Sequence, residues 1–175
     1  MLKRIAHYLV GRAERRVGVA FDYVHKIADT EVGLLARYNK LFGFLDPNTK
    51  VPPEAYHIAR LRGALAADCG TCVEAELGLA RNAKIDPALV DQVLIGDYSN
   101  LKPELAAVAR LSDAVTSQRE DEPEAREIIK EAYGEAGLIE VCFAMNGAAL
   151  LPGIKRSMGY ATACDIEVMR KIAAK

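Results

Sequence analysis

The chain has 175 residues, 51% hydrophobic and 27% charged, with a formal net charge of -1. That is the length of one domain, or of one domain with a helical extension, and it supplies enough apolar side chains for a sizeable core. The near-balanced charge excludes an electrostatic case for nucleic acid or an acidic membrane surface, because the basic runs (Lys3 and Arg4, then Arg12 to Arg16) are short.

Aromatic residues make up 6% and Trp is absent, which suits close-packed helices better than a β-sandwich. Four cysteines are too sparse for a disulfide scaffold. The apolar run after Lys3 and Arg4 stops at Gly11 and Arg12, so a signal peptide is not expected. No stretch of about 18 apolar residues predicts a membrane helix. The expectation is a cytoplasmic protein, where a C-x-x-C points to redox or metal chemistry.

In chain order, Ile5, Leu9, Ala13, Val17, Phe21, Val24 and Ala28 form an apolar stripe at helical spacing. Gly11 and Gly18 are expected to weaken that helix without ending it. A second helix is expected near Asp29 and Thr30, either of which could cap it. Residues 1–50 thus read as an N-terminal helical extension and 51–175 as the main helical domain. His7 and His25 read as surface histidines, with no Cys, Asp or His partner at metal spacing. Asp46 to Thr49 is a turn signal, and Val51, Pro52 and Pro53 form a boundary that opens a helix through Leu65 or Ala66. Pro87, Pro103 and Pro123 open further helices. Gly134 and Gly137 predict a break before the strongly apolar stretch Leu138 to Leu151, which Pro152 ends or kinks. A last helix is expected from Asp165 to Ala173. No alternating pattern or glycine-rich phosphate loop is present. The fold class is all-α, with about seven to nine helices.

The chemistry concentrates at Asp68, Cys69, Gly70, Thr71, Cys72 and Glu76. Asp68 is expected to cap the helix that follows, by accepting from the amides of residues 70 and 71. Cysteines at its first turn gain thiolate stabilisation from the orphan amides and the helix dipole, most strongly at Cys69. Cys72 and Glu76 share a face as i and i+4. An antiparallel hairpin of the flanking helices brings His57 near Glu76. Together they predict a proton chain of Cys72, Glu76 and His57. A zinc site would need two further ligands, and Cys142 and Cys164 are not at paired spacing. No metal or cofactor is therefore expected. Cys142 reads as core. Cys164 reads as exposed, with no visible partner.

From Tyr56 to about Tyr160 the chain resembles the carboxymuconolactone decarboxylase-like family, in its alkylhydroperoxidase D-like branch. That branch carries an acid, eleven residues, C-x-x-C, three residues and a histidine. Cys69 and Cys72 match. His57 stands at the acid position and Glu76 at the histidine position, an exchange of the pair. A carboxylate beside Cys72 would raise its pKa, whereas a histidinium would lower it. The resemblance implies an alkylhydroperoxidase D-like helical bundle that assembles as a homo-oligomer, a trimer or hexamer. It implies a thiol-dependent peroxidase or disulfide reductase acting on a hydroperoxide or small-molecule substrate and reset by an external thiol reductant. Cys72 would be the peroxidatic thiol and Cys69 the resolving one, with Glu76 and His57 assisting. Two alternatives remain open. One is a lyase using His57 with Arg60 or Arg62 as base and carboxylate clamp. The other is a non-catalytic helical assembly protein.

Overall fold

The computed structural model describes residues 1–45, 47 and 49–174, with the side chain of Phe44 left out. The turn expected at Asp46 to Thr49 lies partly outside them. The described residues form nine α-helices and no strand. In chain order these are α1 (Leu2–Val17), α2 (Asp22–Thr30), α3 (Val32–Asn39), α4 (Pro53–Ala66), α5 (Gly70–Asn82), α6 (Pro87–Ile95), α7 (Pro103–Asp113), α8 (Pro123–Ser157) and α9 (Ile166–Ala173). A short 3₁₀ turn, Lys40–Phe44, extends α3, and a wider turn, Ala114–Gln118, extends α7.

Proline opens α4, α6, α7 and α8, where its missing N–H would have had no helical partner. Asp86 and Asp165 cap α6 and α9 by accepting from Ala88 N at 2.9 Å and Val168 N at 3.1 Å.

Three expectations about helix ends are corrected. Gly18 ends the first helix, because it takes a left-handed φ of 84° and its N–H turns back to the Glu14 carbonyl. Asp29 and Thr30 do not cap α3. They close α2, where Thr30 Oγ1 donates to the Lys26 carbonyl at 2.8 Å. Pro152 does not end α8, which runs five residues beyond it, to Ser157. The break is at Gly134 alone, where φ of 73° and ψ of 175° divide α8 into two helical runs.

The main core lies where α4 crosses α8, with Ile58, Val73, Val93, Val108, Val141 and Met145 buried together. Gly63 permits the crossing, since a Cβ there would run into the Met145 carbonyl. α8 is long and apolar enough to cross a membrane, but Ile129, Val141, Ala144 and Met145 on it are fully buried in this core. Ile129, Val141 and Met145 each contribute about 1.5–3 kcal/mol by that burial, while Ile139, Phe143 and Leu150 on the same helix stay exposed. A second cluster joins Val10, Tyr23, Val24 and Tyr38 to Leu151, Ile154 and Met158 near the end of α8. The end of α1 rests on α5 at Gly78, where a Cβ would strike the Val17 carbonyl. The first three helices thus meet both α5 and the end of α8.

Candidate redox site at the start of α5

Between α4 and α5 the chain reverses at Asp68, which adopts a left-handed φ of 47°, a conformation aspartate tolerates better than most residues. Cys69 follows in extended conformation and is itself the N-cap residue, its carbonyl accepting from Cys72 N at 2.9 Å and Val73 N at 3.0 Å. Asp68 does not cap α5 as the sequence led us to expect. Its carboxylate accepts from Cys164 N at 2.9 Å, and Gly70 N donates instead to the Thr162 carbonyl at 3.0 Å. The segment before α9 crosses the start of α5 and takes up both groups. A Cβ at Gly70 would lie 2.7 Å from the Ala163 carbonyl.

Cys69 and Cys72 are free thiols with Sγ atoms 2.7 Å apart, in direct thiol–thiol contact. Cys69 is fully buried, while Cys72 is half-buried. Three donors converge on Cys69 Sγ. They are the Cys72 thiol, the Thr71 hydroxyl at 3.7 Å and the Cys72 backbone N–H. Lys155 on α8 donates to Thr71 Oγ1, which leaves the Thr71 hydrogen to point at the sulfur. The Cys72 thiol is the largest influence holding Cys69 down at about 5; Thr71, the backbone amide and the Lys155 charge act in the same direction, and burial opposes them. Cys72 is pushed up, first by giving its hydrogen to Cys69, then by burial and by the charge on Cys69. The pair therefore holds one proton and places its thiolate on Cys69.

Lys155 is buried at 6% exposure. Its Nζ lies 5.4 Å from the Tyr23 ring centroid, a cation–π contact. Tyr23 and Tyr38 share a hydroxyl–hydroxyl bond of 2.6 Å. Burial pushes Tyr23 up to about 12 and Tyr38 higher still, so both remain phenols and wall the site rather than serve it as bases.

The expected chain of Cys72, Glu76 and His57 does not form. Glu76 is buried, and both its oxygens are taken by Arg60, Nε to Oε2 at 2.6 Å and Nη2 to Oε1 at 2.9 Å. Arg60 follows His57 by three residues, one turn along α4, and its planar fork matches a carboxylate better than an imidazole does. Arg60 Nη1 also donates to the Leu45 carbonyl at 3.0 Å and to Tyr56 Oη at 2.8 Å. Glu76 is an anchor joining α4, α5 and the chain before α4. His57 instead lines a small apolar crevice with Leu61, Ile85, Leu89 and Val93. Its buried Nδ1 has no hydrogen-bond partner among the described residues. Burial is the main cause holding His57 down at about 4, with Arg60 adding to it and Glu76 opposing. His57 stays neutral at pH 7.

Arg62 is committed as well, donating to Asp113 at 2.6 Å and to the Val93 carbonyl at 2.9 Å. Cys142 is half-buried on α8, and burial raises its pKa. Cys164 is half-buried rather than exposed. It is raised by burial, then by Asp68 and by Cys69, whose charge it feels.

Lys155 and Tyr23 carry no signal of this role in the sequence, and Thr71 stands in the central stretch there without one. Lys155 ends a run from Val141 to Ile154 without a charged residue. A lysine there is drawn into the interior with the helix that carries it.

No family model matches the chain, and neither a curated protein nor a solved structure matches it.

Proposed function

We propose that the protein is a thiol-dependent oxidoreductase of alkylhydroperoxidase type. In this reading Cys69 and Cys72 cycle between dithiol and disulfide, with a hydroperoxide as oxidant and an external thiol as reductant. The observation that carries it is the contact of 2.7 Å between two free thiols at the start of α5, with Cys69 held acidic and Lys155 beside them. A structural cysteine pair needs neither an acidic member nor a buried lysine.

Access and acidity divide the roles. Cys72 is the thiol that solvent reaches, and Cys69 is the one that holds the charge. As Cys72 sulfur attacks the outer peroxide oxygen, its proton passes to the Cys69 thiolate. The O–O bond breaks, Cys72 becomes a sulfenic acid, and the alkoxide leaves as the alcohol after taking a proton relayed through Thr71 and Lys155. Cys69 then attacks the Cys72 sulfur, and the hydroxyl leaves as water with the Cys69 proton. Two thiols of the external reductant restore the dithiol and are themselves oxidised to a disulfide.

The lyase alternative draws no support from the arginines, because Arg60 and Arg62 are both bound to internal carboxylates. Hydroperoxide consumption with a dithiol reductant tests the proposal. Cys72→Ser should lose turnover by on the order of 10³-fold or more, as removal of a nucleophile does. Equal turnover by wild type and Cys72→Ser would contradict it.

A further inference from the structure

α1 and α2 turn back on each other after Gly18 and bring together two residues that read as unpartnered surface histidines in the sequence. His7 Nδ1 and His25 Nδ1 lie 2.6 Å apart. The ring centroids are 4.8 Å apart and the planes differ by 11°. That separation is close to the greatest that two rings joined nitrogen to nitrogen at this distance can have. The rings therefore meet edge to edge, each Nδ1 aimed at the other.

The far nitrogens are both fixed by carboxylates. His7 Nε2 lies 2.8 Å from Asp29 Oδ1, and His25 Nε2 lies 3.2 Å from Glu14 Oε1. Glu14 is itself oriented by Phe21 N, which donates to it at 2.6 Å, and Lys3 binds the Asp29 carbonyl. An ionised carboxylate only accepts, so each Nε2 carries a hydrogen. Each Nδ1 is then left with a lone pair directed at its partner. Two such lone pairs aimed at one point are an arrangement that a bound cation satisfies.

We propose that His7 and His25 form a binding site for a divalent transition-metal ion of the zinc class, with the two Nδ1 atoms as its ligands. Metal-ligating histidines characteristically donate their other ring N–H to a carboxylate. Here both histidines have that support, and both turn the remaining nitrogen to one point. A tetrahedral ion bound at about 2.0–2.1 Å holds two nitrogens roughly 3.3 Å apart, so the rings must part by under about 1 Å. Their side chains are 34% and 28% exposed, which leaves room for that movement and an open path from solvent. Among the described residues no group of three or more His, Cys, Asp and Glu converges on a metal position. Water or a small ligand completes the coordination. Imidazole donors favour zinc, copper or nickel over magnesium or calcium. Asp29 and Glu14 offset the added charge.

Zinc uptake is measured by titration calorimetry on the Cys69→Ser, Cys72→Ser double variant, so that the thiol pair cannot compete. One equivalent should bind. His7→Gln and His25→Gln should each weaken binding at least tenfold. Asp29→Asn, which keeps both ligands, should weaken it about tenfold to a hundredfold. No uptake at millimolar zinc, or uptake unchanged by His7→Gln, overturns the proposal. Where circular dichroism shows a histidine variant to be unfolded, Asp29→Asn decides, and unchanged affinity in it overturns the proposal equally. Neither result bears on the thiol chemistry of α5.

Discussion

Two places in this molecule bring identical titratable side chains face to face. Cys69 and Cys72 meet at 2.7 Å, and His7 and His25 meet at 2.6 Å. The surroundings of the two contacts are opposite. The thiols sit among donors: the first turn of α5, the Thr71 hydroxyl and the Lys155 ammonium. A donor-rich setting leaves the pair short of a proton, with a thiolate on Cys69. The imidazoles sit among acceptors, Asp29 and Glu14, which face the outer nitrogens and leave the inner ones turned to each other. Residue type sets the repertoire, whereas the donors and acceptors around a pair select the state.

The largest effect expected from breaking this comparison is at the thiols. Thiolate absorbance of the reduced wild type should titrate with a midpoint of about 5. Cys72→Ala removes the strongest donor to Cys69, so the midpoint should move well up, toward the ordinary thiol range. An unmoved midpoint would mean that Lys155 and the helix start alone make the thiol acidic.

The comparison also depends on the support beneath the thiols. Glu76→Gln leaves the Arg60 guanidinium buried without its counter-charge, at a cost of about 3–5 kcal/mol. Tm should fall by about 10 °C in a chain of this size. A fall of under about 2 °C would show that the pair is not an anchor.

A smaller effect concerns His57, which lacks the polar partners the other two histidines have. It is held down at about 4, whereas an unfolded-chain histidine titrates near 6.5. Below 6.5 the unfolded chain takes up a proton that the folded chain refuses. Stability present above pH 6.5 is therefore lost by up to about 1.4 kcal/mol per pH unit as pH falls toward 4. Urea unfolding of wild type and His57→Leu should show that slope in the former and its loss in the latter. The smallest change expected is from Lys155→Met, which should raise the thiolate midpoint by less than Cys72→Ala does, because the Lys155 charge is the weakest of the named influences on Cys69.

What the sequence disclosed follows from the range of each interaction. Pro53, Pro87, Pro103 and Pro123 mark helix starts because proline acts within one turn, and all four open helices here. The thiol pair was legible for the same reason, being i and i+3 on one element. The first helix was drawn too long because Gly18 is only weakly unfavourable in a helix, whereas the turn to α2 gives it the left-handed conformation that glycine accepts. Hairpin spacing does not say which residue faces Glu76, because His57 and Arg60 lie one turn apart on α4 and it is Arg60 that turns to α5. Lys155 is 84 residues from Thr71, and His7 meets His25 only through the α1–α2 reversal. Contacts of that kind are set by helix packing and leave no local pattern.

The most direct measurement of the central claim is disulfide mapping by mass spectrometry after one equivalent of hydroperoxide is added to the reduced protein. A single new Cys69–Cys72 disulfide is expected, with two thiols lost, Cys142 and Cys164 unchanged, and full recovery with a dithiol reductant. Four free thiols after treatment would contradict it, as would Cys72 oxidised to a sulfinic acid beside an intact Cys69.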